Sequence, residues 1–339
     1  MNSRLPFAVS RWMLGARPLV SVVVPAYNEI AVLPLCLARL REVMACLDVH
    51  YEIVVVDDGS TDGTGDLVAA WATTAQDVKL VRLSRNFGKE AALTAGLEHA
   101  DGDAAIVLDA DLQDPPERIP DMVRAWQAGA DVVAMRRRSR AGETWGKRAS
   151  AWLFYRLLNR LSEVPVPADT GDFRLLSRRA LQALAELPER NRYMKGLFAW
   201  IGLPTTTLMY DRAARAAGHS KWNYGRLLGL AFEGITSFSI RPLRWAIGAG
   251  IAAAAFGAGY GAYIVIKTTL LGEAVQGYPS LMAVITLLGG VQLLTLGVLG
   301  EYVGKSYLEA KQRPVYQVRD VVRAPVMASV VASMAEHHG

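Results

Sequence analysis

Short β-branched runs alternate with stretches of helical period through residues 19–135. The runs are Leu19–Val24, Tyr51–Val56, Val78–Leu83 and Ala104–Leu108, and the helix-period stretches lie near 30–46, 63–72, 88–99 and 117–128. Apolar strands separated by amphipathic helices predict an α/β layout with a mostly parallel sheet, since strands covered on both faces need no alternation. Ligands of such sheets bind beyond the carboxyl ends of the strands. Polar residues at those ends are therefore the first candidates for chemistry.

The pattern changes after residue 240. Trp245–Ile266 is a run of 22 residues without a charge and Ala274–Gly300 one of 27, and a membrane crossing takes about 20. They predict a transmembrane hairpin with helices at 245–266 and 280–300. Arg241 and Arg244 precede the first run, and Lys305, Lys311 and Arg313 follow the second. Basic flanks stay on the cytoplasmic side, so both termini are expected there. Gly257 and Gly261 in the first run, with Gly289, Gly290 and Gly297 in the second, predict close helix pairing and permit a homo-oligomer. The remaining divisions are an N-terminal extension at 1–18, a polar domain at 19–222, a juxtamembrane helix region at 223–244 and a cytoplasmic tail at 301–339. The extension carries Arg4, Arg11 and Arg17 around short apolar pieces, unlike a signal peptide.

Composition supports this division. Of 339 residues, 52% are apolar and 20% charged, with a mean hydropathy of +0.18, which is too few charges for a wholly soluble chain. Cys36 and Cys46 stand alone, which excludes a disulfide framework or a cysteine zinc site and suits a reducing compartment. The net charge is +5, yet residues 136–226 hold 18 Lys or Arg against 7 Asp or Glu. A regional basic surface of that kind faces nucleic acid, an anionic membrane or a phosphorylated substrate. Residues 145–161 mix aromatic, aliphatic and basic side chains at helical spacing. Either an interfacial membrane helix or an ordinary helix packed on the sheet would read this way.

Candidate chemistry lies at three strand ends. The first strand runs into Pro25-Ala26-Tyr27-Asn28-Glu29, the second into Asp57-Asp58-Gly59-Ser60-Thr61-Asp62-Gly63-Thr64, and the fourth into Asp109-Ala110-Asp111-Leu112-Gln113-Asp114-Pro115-Pro116. One such end could be a turn and helix cap. The fourth gathers carboxylates that repel one another unless a cation intervenes. Hard oxygen donors in an incomplete shell suit Mg²⁺ or Mn²⁺ bridging to a substrate diphosphate.

These segments, together with Arg85-Asn86-Phe87-Gly88-Lys89, resemble the family 2 glycosyltransferases of GT-A fold. Within that family they are most similar to the polyprenyl-phosphate branch, which includes dolichol-phosphate mannose synthase and the bacterial bactoprenol glucosyltransferases. The resemblance spans about residues 20–240 and extends to the two-helix tail. It implies a GT-A catalytic domain at 19–222 and transfer of one sugar from a nucleotide diphosphate donor to polyprenyl phosphate. Pro25, Tyr27, Glu29 and Asp58 would hold the nucleoside, with Lys89 nearby, and Asp109, Asp111 and Gln113 would form the metal shell. Asp169-Thr170-Gly171-Asp172-Phe173-Arg174 resembles the acceptor-side motif, which makes Asp172 the candidate catalytic carboxylate, as base or as orienting group.

A phosphate monoester with a second pKa near ~6 is already ionised at neutral pH, so a strong base is hardly required. Cations that align two polyanions are required. Arg136, Arg137, Arg174, Arg212, Arg215 and Lys221 are available, with Arg215 and Lys221 in the segment that resembles the family's approach to the membrane. His219 in the same segment has no comparable support.

Two further readings stay open. A processive polysaccharide synthase of the same fold would carry Gln-x-x-Arg-Trp before a membrane helix, where this chain has Arg241-Pro242-Leu243-Arg244-Trp245, and two helices are few for a polymer channel. An inactive membrane scaffold would have no physical reason to keep repelling carboxylates together. Nucleic-acid binding ranks last, since the arginines form no recognition module.

Overall fold

The computed structural model describes residues 17–138, 156, 170–211, 236, 239, 241–271 and 277–324. The chain divides into two compact units, one made of residues 1–151, 166–221 and 314–339 and the other of 152–165 and 222–313.

The first unit is built on an eight-stranded sheet. Its strands are β1 (Leu19–Ala26), β2 (His50–Asp57), β3 (Val78–Leu83), β4 (Ala104–Val107), β5 (Val132–Arg137), β6 (Thr170–Ser177), β7 (Thr205–Tyr210) and β8 (Val318–Arg323), in the order β7-β5-β6-β4-β1-β2-β3-β8. Parallel ladders join β1 to β2 and β4, β2 to β3, and β5 to β7, while β6 runs antiparallel to β4 and β5 and β8 antiparallel to β3. The carboxyl ends of β1 to β5 and the start of β6 thus share one edge. That edge is where the sequence places its polar clusters.

Helices cover the sheet at the places the periodicity gives: α1 (Leu33–Ala45), α2 (Thr64–Ala72), α3 (Lys89–Glu98) and α4 (Ile119–Gln127), the last preceded by a 3-10 turn at Pro116–Arg118. Two short helices follow, α5 (Arg178–Ala185) and α6 (Met194–Trp200). The core is aliphatic; Val22, Ile53, Val55, Leu80 and Ile106 from adjacent strands are fully buried with Leu33, Leu37 and Leu40 of α1. Burial also pushes the Cys36 thiol up to about 12, so it behaves as a small apolar side chain. A Cβ on Gly96 of α3 would stand 2.2 Å from Val23 Cγ1 and 3.0 Å from Val56 Cγ2. This close seat of α3 on β1 and β2 fixes where its first residue, Lys89, emerges.

The C-terminal tail departs from expectation. Residues 318–323 form β8 and pair with β3, Ser84 N–H donates to Gln317 O at 2.9 Å, and Tyr316 Oη donates to Glu98 Oε2 at 2.5 Å. The domain expected to close at residue 222 therefore takes its edge strand from beyond the hairpin.

The second unit contains α7 (Arg241–Leu271) and α8 (Tyr278–Ala310), both longer than the uncharged runs inside them. Leu243–Lys267 and Val284–Ala310 are long and apolar enough to cross a membrane, with mean hydropathies of 1.6 and 1.7, and their most apolar windows are unburied. A soluble core helix would be covered. Tyr302 Oη donates to Ser239 O, and Lys305 Nζ to Thr236 Oγ1 at 2.6 Å. A Cβ on Gly257, Gly261, Gly289, Gly290 or Gly297 would meet no atom within 4 Å, so among the described residues the close pairing expected at these glycines is not formed. The segment 145–161 lies outside the described residues apart from Arg156.

Candidate active site

The loops after β1 and β2 are stitched to each other. Asn28, at φ 56°, donates its N–H to Ser60 Oγ at 2.9 Å and accepts Thr61 N–H on Oδ1 at 2.8 Å. Glu29 N–H donates to Thr64 Oγ1 at 3.1 Å and Ile30 N–H to Asp62 Oδ2 at 3.1 Å. Asp62 also accepts Thr64 N–H at 2.9 Å. Burial is the largest single influence and opposes its charge, but the bonds from Thr64 and Ile30 together lower its pKa. It fastens a loop.

Asp58 is buried at 3% exposure and accepts two backbone amides from the loop after β3, Phe87 N–H at 2.7 Å and Gly88 N–H at 2.9 Å. Burial raises its pKa and the two amides offset part of that rise. Between these loops Gly59 has φ 68°, and a Cβ there would lie 2.4 Å from the Arg85 carbonyl carbon. Only glycine allows this approach.

Together these loops wall an open cleft of about 290 Å³ lined by Pro25, Tyr27, Glu29, Asp58, Lys89, Asp109 and Asp111. Seven of the proposed site residues thus share one cavity. Gln113 lies just past it, its N–H donating to Asp111 Oδ1 at 3.1 Å and its Oε1 buried without a hydrogen-bond partner.

The mutual repulsion inferred for the carboxylates after β4 is relieved by the protein itself. Lys89 Nζ pairs with Asp109 at 2.8 Å and with Asp172 Oδ2 at 2.7 Å. Asp114 is buried and accepts Tyr210 Oη at 2.5 Å, and burial together with that carboxylate pushes the Tyr210 phenol well above its ordinary value. Lys89 and Tyr210 hold Asp109 and Asp114 in place without a metal ion. Asp109 and Asp111 still present hard oxygens to the cleft, Gln113 Oε1 is an orphaned acceptor beside them, and no three His, Cys, Asp or Glu gather among the described residues. Two carboxylates with the balance supplied by substrate is how Mg²⁺ is usually held, so this donor set fits a divalent cation that shares its shell with a diphosphate.

Lys89 carries the chain of charges to β6. Burial disfavours its ammonium, yet Asp109 and Asp172 hold its pKa well above the ordinary lysine value. For Asp172, burial disfavours the charge and Lys89, then Lys195 and Arg174, overcome it, holding the carboxyl well below the usual range. Its Oδ1 is buried without a hydrogen-bond partner among the described residues.

Arg174 does not reach the cleft surface. It is 4% exposed, donates from Nη2 to Gly171 O at 2.7 Å, and lies 3.8 Å over the Phe198 ring. Burial lowers its pKa to about 10, against the pull of Asp172 and Glu90. Its buried guanidinium acts electrostatically on the Asp172 carboxylate. Arg136 is exposed at the end of β5, opposite Thr170 in register, while Arg137 is part-buried with Nε 3.4 Å from Tyr210 Oη. Arg212, Arg215, His219 and Lys221 lie outside the described residues.

Glu90 escapes a reading of motifs. Its Oε2 accepts Met194 N–H at 3.1 Å; burial first and Asp172 second push its pKa up to about 7, with the Met194 amide pulling the other way. The available signal was an acidic residue beside Lys89 in the first turn of a helix that is otherwise buried.

Comparison with known proteins places the chain in a family. Residues 21–185 match the family described as Glycosyl transferase family 2, and residues 241–306 match the GtrB C-terminal hairpin. The chain is 47% identical over 302 residues to an uncharacterized glycosyltransferase of Synechocystis, covering 89% of this chain and 95% of that one. It is 46% identical over 301 residues to the bactoprenol glucosyl transferase of Shigella phage SfV, covering 89% and 98%. A prophage bactoprenol glucosyl transferase homolog of Escherichia coli is 45% identical over 304 residues, covering 89% and 99%.

Proposed function

The chain belongs to glycosyl transferase family 2, and from that premise we propose that it moves one glucose from a nucleotide diphosphate sugar to polyprenyl phosphate. It is a glycosyltransferase with a C-terminal hairpin. The acceptor and sugar follow the relatives named bactoprenol glucosyl transferase. The observation that carries the reading is the continuity of the cleft: Asp58, Asp109 and Asp111 line one cavity, and Lys89 bridges Asp109 to Asp172.

In this reading the nucleoside lies against Pro25, Tyr27 and Glu29, on a wall that Asp58 keeps rigid by holding the Phe87 and Gly88 amides. The acceptor phosphate arrives on the Asp172 side. One of its oxygens attacks the anomeric carbon as the bond to the nucleoside diphosphate breaks, so the configuration inverts and no proton need be removed. Asp172 suits that economy. A carboxylate held well below its ordinary range is a poor base at neutral pH, so it orients the acceptor and, through Lys89, holds Asp109 in place. Arg174 keeps Asp172 charged from below. Mg²⁺ or Mn²⁺ held by Asp109 and Asp111, with Gln113 as a further oxygen donor, would neutralise the charge that builds on the departing diphosphate. Both chain termini and the catalytic unit lie on the cytoplasmic side, where basic flanks are retained; Arg136, Arg212, Arg215 and Lys221 supply further positive charge for the lipid phosphate.

The test is incubation of the full-length protein in detergent with Mn²⁺, polyprenyl phosphate and a panel of nucleotide sugars, followed by mass spectrometry of the lipids. A lipid carrying a single hexose from a glucose donor is expected. Long polymer would favour a processive synthase, and absence of product from every donor would overturn the reading.

A further inference from the structure

The acceptor side holds a cation with no task in the scheme above. Lys195 is the second residue of α6, and the helix that carries it is fixed at two points. Glu90 Oε2 accepts the Met194 amide at 3.1 Å, and the Arg174 guanidinium stacks 3.8 Å over Phe198. Thr94 reinforces the first point, donating from Oγ1 to Glu90 O at 2.8 Å while lying 3.8 Å from Met194 Sδ.

The charges around it leave one role open. An incoming phosphate dianion must approach the Asp172 carboxylate, and like charges cost free energy unless a cation intervenes. Lys89 is committed to Asp109 and Asp172. Arg174 is buried beneath. Lys195 is part-exposed, makes no ion pair with a described residue, and lies close enough to act electrostatically on both Asp172 and Glu90. An ammonium held on a short, doubly fixed helix is a point charge placed for a phosphate.

We propose that Lys195 contacts the phosphate monoester of the acceptor beside Asp172, and that Glu90 is the positioning residue that docks α6 so that Lys195 is in place. The proposal rests on the reading of a lipid phosphate acceptor, and its test does not depend on turnover. Full-length protein, Lys195→Met and Lys195→Arg are titrated with farnesyl phosphate, with farnesol and inorganic phosphate as controls, and separately with the nucleotide sugar. Losing one charge-assisted contact predicts about tenfold or more weaker farnesyl phosphate binding in Lys195→Met, recovered in large part by Lys195→Arg. Farnesol and nucleotide-sugar affinities stay unchanged.

Equal farnesyl phosphate binding by wild type and Lys195→Met overturns the proposal. So does a dependence on Lys195 seen for inorganic phosphate alone, which would assign the residue to a free anion. If wild type makes no glycolipid while farnesyl phosphate binding still depends on Lys195, the proposed reaction falls and this inference stands. For Glu90 the comparison is Glu90→Ala with Glu90→Gln, whose amide oxygen can still accept the Met194 N–H. Weaker farnesyl phosphate binding at unchanged nucleotide-sugar affinity in Glu90→Ala, restored in Glu90→Gln, supports the positioning role; donor and acceptor affinities falling together overturn it.

Discussion

The two walls of the cleft are held by different forces. On the nucleoside side, Asn28, Asp58, Ser60, Asp62 and Thr64 spend their polar atoms on backbone amides or on one another, so the loops are mutually satisfied. Around Asp172 the structure rests on a few charges, with Lys89 serving two carboxylates while Asp172 Oδ1 and Arg174 Nε have no hydrogen-bond partner among the described residues. Buried polar atoms are nearly always paired, so this wall is the less satisfied of the two. One wall is held by many mutual hydrogen bonds, the other by a few charges.

The largest effect should come where the two walls meet. Asp111→Ala removes an oxygen donor from the cleft while the loop fasteners stay intact, and a roughly 10³-fold fall in kcat/KM is expected, as for loss of a preorganised group facing developing charge. Asp62→Ala is its counterpart. It loses bonds to Ile30 and Thr64, which should cost about 1 kcal/mol of stability and little activity. Similar kinetics for the two variants would erase the distinction between the walls.

The nucleoside wall has its own weak point at Gly59. A Cβ there would press on the Arg85 carbonyl carbon at 2.4 Å, and φ is 68°. Left-handed strain and overpacking together predict that Gly59→Ala loses about 2–4 kcal/mol, read from the denaturant midpoint, with donor binding weakened more than acceptor binding.

Lys89→Met tests the charged wall. It strands Asp109 and Asp172 beside Glu90, and removing one member of a buried pair costs about 3–5 kcal/mol. The Lys89 side chain is 45% exposed, so solvent screening brings the expected loss down to about 2 kcal/mol. The pH dependence follows from Asp172, whose folded-state pKa lies below its unfolded value. Its stabilising contribution is present above the ordinary aspartate pKa and is lost as pH falls through the depressed range. Wild type and variant should therefore converge in acid.

What the sequence made legible follows the same division. β1 to β4 and α1 to α4 appear where their periodicity places them, and the cleft forms at the strand ends because parallel topology leaves those ends open together. β8 was illegible. Val318-Arg319-Asp320-Val321-Val322-Arg323 is a short polar alternation whose only reason to be a strand is the free edge of β3, far away in sequence. Asp58 was readable as a site residue but not as the anchor of the Phe87–Gly88 turn. The type and motif of Arg174 were visible in the sequence while its burial was not. Glu90 was missed because its bond to the Met194 amide of α6 is a long-range contact, and its place beside Lys89 in a buried helix was the sole local sign.

Glu90 also provides the finest test of the comparison. Its carboxyl stands at about 7 in the folded chain against 4.5 for an unperturbed glutamate. Between those values the folded state keeps a proton that the unfolded chain has released, so stability falls as pH rises from 4.5 to 7 and levels off above. The groups facing Glu90 are Asp172 and Arg174 from β6, Lys195 from α6 and Lys89 beside it. The first raises the pKa and the two lysines lower it. Glu90→Gln removes the titration yet keeps an acceptor for Met194, so it should match wild type below pH 4.5 and exceed it by about 1–2 kcal/mol at pH 8. Urea midpoints across that interval measure the difference. Parallel curves would mean that Lys89 and Lys195 already neutralise Glu90, leaving the acceptor wall as well satisfied as the nucleoside wall opposite.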